Sequence, residues 1–343
     1  KAITPTMIRK GDLLEFVRKE AVDAAKEAFA ELTPAEGLTL SKILVLPGIP
    51  SQEPQRAESI TLLKNSGVDH VITFRTILEN LLQNVESNQS YIDPTAQLAN
   101  DVSVGAHAII EEGVKIGQGS RIAAYAILKK NTTLGERVSV DHFAVVGGDP
   151  QDLSFNPSLV SSVFVGDDTT IREHATIHRA TQPNTVTRLG KKNLVMVGAH
   201  IAHDCQLGDY VILANGCMLG GHVHVGDHAF ISGGVAVHQF CRIGGGSMTS
   251  GNAVITEDVP PHGLAYDRNR LAGLNLIGLR RRGLSAESVA ELKKAYHLVY
   301  APGGNCAKLA DEYIQTGNFK SPEALDFLRF FLGGKRGRFV QPA

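Results

Sequence analysis

Histidine is concentrated in one part of this 343-residue sequence. Eight of its thirteen histidines lie in a single stretch, at His174, His178, His200, His203, His222, His224, His228 and His238. Imidazole is the side chain best suited to accept a proton near neutral pH, and it is also a common metal ligand. The dipeptide His203-Asp204 adds a carboxylate, which can hold an imidazole in one tautomer and stabilise its charged form. This stretch is therefore the candidate for acid–base chemistry, provided that the fold brings its side chains together.

The histidines fall within a repeat of six residues. Aliphatic residues recur at every sixth position, at Ile92, Leu98, Val104, Ile110, Ile116, Ile122, Leu128, Leu134, Val140 and Val146. The register lapses over residues 147–164, returns at Val165, lapses again over residues 179–188, and then continues to Ile255. A period of six is neither the 3.6 of a helix nor the 2 of a simple strand. It predicts a short strand followed by a corner, with the two lapses forming loops that leave the stack.

This hexad pattern resembles the left-handed parallel β-helix of the hexapeptide-repeat acyltransferases, in which three walls close an 18-residue triangular coil. The handedness comes from the resemblance, because parallel crossover connections are otherwise right-handed. The predicted fold class is mainly β, a left-handed parallel β-helix with a C-terminal α-helical domain and a small N-terminal α/β extension. Both ends of such a solenoid expose strand edges, so we expect the flanking segments to cover them.

The flanks of the repeat differ from it in character. The predicted domains are an α/β extension of unknown role over residues 1–90, the β-helix acyltransferase domain over 91–257 and a helical C-terminal domain over 258–343. In the extension we expect helices over residues 13–32, 53–65 and 77–85 and strands over residues 43–46 and 70–74. In the C-terminal domain we expect helices over residues 285–300, 307–316 and 322–332. Because the first residue is Lys1 rather than Met, the sequence leaves open whether residues precede it.

An 18-residue coil places residues 18 positions apart in one column. His203, Gly221 and Gln239 then share a column, and Asp204 and His222 share the next. Strand spacing brings these groups within roughly 5–10 Å of one another. Acyl transfer to a hydroxyl needs a base for the proton and N–H donors for the oxyanion, and a glycine lets the backbone approach the substrate closely. Asp204 can support His203 only if the corner turns both side chains together, because adjacent strand residues point oppositely.

Five motifs make the resemblance specific. They are residues 151–153 (QDL), 176–179 (TIHR), 200–205 (HIAHDC), 236–240 (AVHQF) and 276–283 (LIGLRRRG). They resemble motifs of the acyl-ACP:UDP-N-acetylglucosamine O-acyltransferase family and lie within residues 92–343, which is most of the chain. The resemblance implies transfer of a 3-hydroxyacyl group from acyl carrier protein to the 3-hydroxyl of UDP-N-acetylglucosamine, the first step of lipid A synthesis.

The same resemblance assigns roles to residues. It implies His203 as the general base, Asp204 as its partner and Gly221 as the oxyanion donor. It implies substrate contacts at Gln151 and Asp152 in a sugar-side loop, His178, His200, His222, His238 and Gln239 in the cleft, Gly251 beside the acyl chain, and Asn275 and Arg281 at the nucleotide. No metal and no cofactor is expected, since the carrier-protein thioester is a substrate. The family's cleft lies between the subunits of a homotrimer, so we expect that assembly here.

Two positions depart from the family pattern. Ser154 stands where the family usually has lysine, and Ile277 stands where some members carry an acidic sugar contact. The type of reaction is therefore better supported than the acceptor, which is either N-acetylglucosamine or its 3-amino analogue. The exact acyl chain also stays open.

Composition excludes several classes of protein. Lys and Arg number 34 against 35 Asp and Glu, which gives no basic excess for a nucleic-acid partner. The four cysteines form no CxxC pair, and no run of about 18 apolar residues is present. We therefore expect a cytoplasmic protein without stable membrane insertion. The basic run 280–282 suits an acidic partner such as acyl carrier protein.

Three alternatives remain open from sequence. One is the related UDP-3-O-acylglucosamine N-acyltransferase, which has a similar architecture but lacks these motifs. A second is a zinc hydratase that resembles the γ-class carbonic anhydrases, with three histidine ligands across a trimer interface. The third is a non-catalytic hexad scaffold, which would have no need of a base, a carboxylate and a glycine in adjacent columns.

Overall fold

The computed structural model describes residues 43–46, 70–73, 89–301, 304–334 and 337–342, the first two ranges by their backbone. The chain forms two compact units, Lys1–Gln89 and Ser90–Ala343. In the first unit, strands Ile43–Leu46 and His70–Thr73 pair in parallel, and both correspond to predicted strands. The helices expected over residues 13–32, 53–65 and 77–85 lie outside the described residues.

The second unit winds through three sheets of short, mainly parallel strands, which we call the first, second and third walls. The first wall contains Gln97–Leu98, Lys115–Ile116, Thr132–Leu134, Ser162–Val165, Val186–Leu189, Gln206–Leu207, His224–Val225 and Arg242–Ile243. The second wall contains Ser103–Val104, Arg121–Ile122, Ser139–Val140, Thr170–Ile171, Leu194–Val195, Ile212–Leu213, Phe230–Ile231, Met248–Thr249, Gly263–Tyr266, Arg270–Leu274 and Gln341–Pro342. The third wall contains Tyr91–Ile92, Ile109–Ile110, Ile127–Leu128, Val145–Gly148, Thr176–His178, His200–Ile201, Met218–Leu219, Ala236–Val237 and Val254–Ile255.

The hexad residues form the core of this prism. On the third wall the hexad residue of the first strand, Ile92, is 42% exposed, and the hexad residues that follow are at most 3% exposed, at Ile110, Leu128, Val146, Ile177, Ile201, Leu219, Val237 and Ile255. Burying one Val, Leu or Ile side chain stabilises the fold by roughly 1.5–3 kcal/mol, so the stacked hexads are the main source of its stability. The residue before each hexad position faces outward, because side chains alternate along a strand. The outer face of the third wall thereby receives His200 and Met218, which are partners in register.

The corner from the third wall to the first has a distinctive backbone. Asp204, His222 and Phe240 occupy it on successive coils, with φ of 61°, 59° and 66°. This left-handed conformation costs a residue with a side chain roughly 1–2 kcal/mol. The N–H of His222 donates to the carbonyl of His203 at 3.0 Å, and the N–H of Phe240 donates to that of Gly221 at 2.9 Å. Hydrogen bonds between coils therefore stabilise a backbone that each segment alone would not favour.

Two loops leave the prism where the hexad register lapses. The first loop, residues 149–161, follows the strand Val145–Gly148, and the second loop, residues 179–185, follows Thr176–His178. The wall stays in register across both loops, since Val146 pairs with Ile177 and Ile177 pairs with Ile201. The two loops are thus insertions that leave the register of the coils unchanged.

Helices follow the prism, as predicted. Within the described residues they are α1 (Leu276–Arg281), α2 (Ala286–Val299), α3 (Cys306–Gln315) and α4 (Pro322–Phe330). Ser285 caps α2 by accepting from the N–H of Ser288, as its position before the helix predicts. Helix α1 was not among the predicted helices, because six residues are too few to show helical periodicity. No helix in the described part of the chain is both long and apolar enough to cross a membrane.

A buried histidine at the junction between the prism and the helices is expected to make the stability of the fold sensitive to acid. His262 is 6% exposed, its Nδ1 accepts from Arg282 at 2.8 Å, and burial followed by the charge of Arg282 lowers its pKa from 6.5 to about 4. The unfolded chain protonates His262 more readily than the folded chain does. The contribution of neutral His262 to the free energy of unfolding is therefore complete above pH 6.5 and is lost as the pH falls towards 4. The loss is on the order of 3 kcal/mol at most.

Thermal denaturation between pH 7 and pH 4 measures this effect. We expect His262→Gln to flatten the decrease in Tm, because the amide oxygen still accepts from Arg282 and does not titrate. His178 has a similarly low pKa and will keep part of the slope. His228→Gln, on an exposed corner, is the matched control. Equal slopes for wild type and His262→Gln would contradict the assignment.

Candidate active site

His203 and Asp204 meet at the corner where the third wall ends. The Nδ1 atom of His203 lies 2.9 Å from Oδ2 of Asp204, and their side chains are 15% and 11% exposed. Because an ionised carboxylate only accepts hydrogen bonds, Nδ1 carries the proton and Nε2 is the basic atom. The positive φ of Asp204 turns the two adjacent side chains together, which a regular strand would not do. This pair has the geometry of a general base with an orienting carboxylate.

The second loop holds Asp204. The hydroxyl of Thr181 donates to Oδ2 of Asp204 at 2.7 Å, and its backbone N–H lies 3.2 and 3.3 Å from the two carboxylate oxygens. The N–H of Asp204 donates to the hydroxyl of Thr187 at 2.8 Å. With its backbone and its carboxylate both bonded, Asp204 has little freedom to rotate away from His203.

Gly221 lies directly against the imidazole of His203. A Cβ atom added to Gly221 would lie 2.4 Å from Cε1 and 2.7 Å from Nε2 of His203. Within the described residues the Gly221 N–H donates no backbone hydrogen bond. The base and a backbone donor therefore share one small space, as acyl transfer requires.

Further histidines surround this pair. The ring of His222 meets that of His203 edge to face at 5.3 Å and stacks on Phe240 at 4.5 Å. His178 and His200 form a second edge-to-face pair at 4.7 Å. Burial, then the charges of His200 and His203, lower the pKa of His178 to about 4, and burial and His203 lower that of His200. The second pair is therefore neutral near pH 7.

Asp152 of the first loop is electrostatically coupled to His203. Asp152 accepts from the N–H and the hydroxyl of Ser154, at 2.9 and 2.7 Å. These bonds, followed by the charge of His203, lower the pKa of the Asp152 carboxyl. Asp152 is therefore ionised and within electrostatic reach of His203, and Gln151 precedes it on the exposed loop. Ser154 has taken a local role in shaping the loop at the position where a lysine was expected.

The remaining predicted residues lie further along the chain. Gln239 is exposed on the coil after Gly221, and Nδ1 of its neighbour His238 lies 3.1 Å from the Gln239 carbonyl oxygen. Gly251 is exposed, and an added Cβ would meet nothing nearer than a carbonyl oxygen at 3.5 Å. Asn275 caps α1 and donates to the carbonyl of Gly246, while Arg281 is exposed at the end of that helix.

Comparison with known proteins decides the family. A family model described as UDP-N-acetylglucosamine O-acyltransferase, domain 2, matches residues 258–339, and one for the bacterial transferase hexapeptide matches residues 187–221. An acyl-[acyl-carrier-protein]–UDP-N-acetylglucosamine O-acyltransferase of Syntrophobacter fumaroxidans is 43% identical over 250 residues, which are 72% of this chain and 96% of that protein. The chain belongs to the UDP-N-acetylglucosamine O-acyltransferase family.

Other members of the family agree with this result. A relative with the same name from Thermodesulfovibrio yellowstonii is 39% identical and covers 72% of this chain and 95% of its own length. The solved UDP-N-acetylglucosamine O-acyltransferase of Moraxella catarrhalis superposes with a TM-score of 0.69 at 35% identity, covering 73% of this chain and 97% of that one. The predicted family, the left-handed β-helix and the assignment as an acyltransferase enzyme are confirmed, and the N-acyltransferase alternative is not favoured.

The site of this family member also includes a potential metal-binding arrangement. One donor atom each from His203, Asp204 and His222 lies within 4.8 Å of the other two. Zinc can bind such donors, but two imidazoles and one carboxylate of a single chain differ from the three histidines across a trimer interface of the hydratase alternative. The expectation of no metal stays a prediction that metal analysis can test.

Sequence reasoning overlooked Thr181. Its contact with Asp204 spans 23 positions, so neither the hexad nor the 18-residue column brings the two residues together. The only signal was that Thr181 lies in the second lapse, directly after the motif of residues 176–179. His224 lies on the strand His224–Val225 and is exposed.

Thr181→Val should reduce kcat about 10-fold to 100-fold, because a hydrogen bond to a carboxylate contributes roughly 1.5–3 kcal/mol. The carboxylate of Asp204 would lose its hydroxyl donor and orient His203 less well. Steady-state kinetics with saturating substrates measures the change. Thr185→Val is the matched control, since that hydroxyl bonds to Gln182 in the same loop. A kcat equal to that of the control would show that Thr181 does not orient Asp204.

Proposed function

We propose that this protein transfers a 3-hydroxyacyl group from the thioester of acyl carrier protein to the 3-hydroxyl of UDP-N-acetylglucosamine, the opening step of lipid A synthesis. The observation that carries the proposal is the cluster of His203, Asp204 and Gly221, with the Nδ1–Oδ2 distance of 2.9 Å. The names of the relatives in the same family supply the donor and the acceptor.

The cluster accounts for each proton in the reaction. Nε2 of His203 takes the proton of the sugar hydroxyl as its oxygen attacks the thioester carbonyl carbon. The Asp204 carboxylate stabilises the imidazolium that results. The carbonyl oxygen becomes an oxyanion, towards which the Gly221 N–H donates. Collapse of the tetrahedral intermediate breaks the carbon–sulfur bond, and the imidazolium returns its proton to the departing thiolate.

The first loop and the helical domain provide the substrate contacts in this proposal. Gln151 and Asp152 bind the sugar, and the neutral pair His178 and His200 lines the cleft together with His222, His238 and Gln239. Asn275 and Arg281 serve the nucleotide. Gly251 leaves room for a long acyl chain, because little lies near its Cα.

The basic run at the end of α1 is the proposed docking point for acyl carrier protein. Arg280 and Arg281 are exposed, whereas Arg282 is partly buried against His262. Two of the three guanidinium groups are therefore presented to an acidic carrier, and their attraction would speed the encounter.

The outer face of the third wall supports a homotrimer. Large apolar residues are exposed along it, with Tyr91 at 56%, Ile109 at 37%, Met218 at 49% and Val254 at 38%. His200 lies on the same face, in register with Met218. Exposed apolar surface commonly marks an interface, and here a second copy would complete the site. A cytoplasmic location fits a chain whose cysteines are all unpaired.

Mass spectrometry of the reaction products tests the proposal. Purified protein, 3-hydroxyacyl carrier protein and UDP-N-acetylglucosamine should yield the 3-O-acyl nucleotide sugar. Parallel reactions with the 3-amino sugar and with UDP-3-O-acylglucosamine distinguish the alternative acceptors. Zinc at one equivalent per chain together with bicarbonate formation, and no acyl transfer, would instead favour the hydratase.

A further inference from the structure

One arginine side chain ties the first loop to the prism. Arg179 is 7% exposed and begins the second loop. Its Nε donates to Oδ1 of Asp149 at 2.8 Å, and its terminal nitrogens donate to the carbonyls of Leu159 at 2.5 Å and Pro157 at 2.9 Å. The guanidinium also lies 4.8 Å from the centre of the Phe155 ring. The start, the middle and the end of the first loop thus converge on one group.

The first loop has little other means of keeping its shape. Asp152 and Asn156 each accept from a serine two positions later, and these bonds are local. Most of the loop is exposed, and Leu153 is fully exposed. Beyond Arg179, the ties of this loop to the second loop are near its end, where Ser161 donates to the carbonyl of Ala180 and Val160 accepts from Asn184. The loop is too short to have an apolar core of its own, and its hydrogen bonds to the guanidinium of Arg179 stabilise its conformation instead.

The anchor of the loop is next in sequence to residues that surround His203. The residue before Arg179 is His178, whose ring meets that of His200 edge to face at 4.7 Å, and the charge of His203 contributes to the lowered pKa of Asp152. The segment of residues 178–181 thus places a cleft histidine, the anchor of the first loop and the donor to Asp204 in close succession.

We infer that Arg179 is a positioning residue that holds the loop of Gln151 and Asp152 in one conformation and so sets the affinity for the nucleotide-sugar acceptor. The inference rests on the proposed function, in which this loop binds the sugar. Arginine suits the role because its planar fork donates in several directions at once, whereas lysine presents a single point. Arg179→Lys keeps the charge and loses the fork, so it separates geometry from charge.

The test compares Arg179→Lys with wild type under full kinetics. We expect the KM for UDP-N-acetylglucosamine to rise about tenfold or more, with kcat and the KM for acyl carrier protein nearly unchanged, because uniform binding is lost and the base stays in place. Arg179→Ala should recover part of its acceptor affinity in millimolar guanidine. Arg188→Met is the matched control, since Arg188 lies 4.4 Å from the Phe164 ring on the next strand and touches no substrate loop.

Hydrogen exchange adds a readout that does not depend on turnover. Faster exchange confined to residues 149–161 in Arg179→Lys supports the inference, and exchange at the wild-type rate overturns it. An unchanged acceptor KM, or a loss of kcat alone, also overturns it. If wild type produced no acylated sugar, the proposed function would fail, and the exchange of the loop would still decide whether Arg179 anchors it.

Discussion

His203→Ala is expected to lower kcat by about 100-fold to 10,000-fold, the usual contribution of a positioned general base. The sugar hydroxyl is too weak an acid to attack a thioester rapidly without a base. The imidazole of His203 is bonded to the Asp204 carboxylate through Nδ1, so that Nε2 is the atom that accepts a proton. Initial rates with saturating acyl carrier protein and UDP-N-acetylglucosamine measure the effect.

The change should leave the fold intact. His203 is outside the hexad core, and its side chain is partly exposed at the cleft. We therefore expect a Tm near that of wild type and a KM for the acceptor that changes much less than kcat. His228→Ala is the matched control, because His228 occupies another corner of the prism and stacks on Tyr210. A variant at position 203 with the kcat of the control would exclude His203 as the base.

Gly221→Ala is expected to lower kcat about 100-fold or more, although it adds one methyl group. The new Cβ would lie 2.4 Å from Cε1 of His203, well inside van der Waals contact, so the ring must move. Moving the ring breaks the bond to Asp204 and separates Nε2 from the oxyanion site. One substitution would then impair both proton transfer by His203 and stabilisation of the oxyanion.

The backbone should tolerate this alanine. Gly221 lies outside the left-handed region of φ, so the expected loss arises from the contact with His203 and not from backbone strain. Gly233→Ala, where the nearest atom is a carbonyl oxygen at 3.3 Å, is the matched control. The NMR signal of the His203 Nδ1 proton should weaken or shift in Gly221→Ala and persist in the control. If Gly221→Ala kept the wild-type kcat and an unchanged Nδ1 proton signal, catalysis would not depend on the absence of a side chain at position 221.

The sequence by itself determined the prism. Repeating an aliphatic residue every six positions predicts short strands that stack in 18-residue coils with the repeated side chains turned inward, and the strand pairs confirm that spacing. The handedness of the coil came from the family resemblance and not from the period. The same period placed His203 beside Gly221 and Asp204 beside His222, because coils of equal length stack in columns. Helices α2 to α4 were also predictable, and Ser285 precedes the first of them as its N-cap.

Tertiary structure decided how the cluster is held. Asp204 reaches His203 because its φ is positive, and that backbone is stabilised by the neighbouring coil and not by the local sequence. Thr181 and Arg179 contact partners 23 and 30 positions away, across loops that interrupt the period. A repeat predicts contacts only where the coil length is constant. Where a loop adds residues, the partner depends on how that loop folds back, and the periodicity carries no information about it.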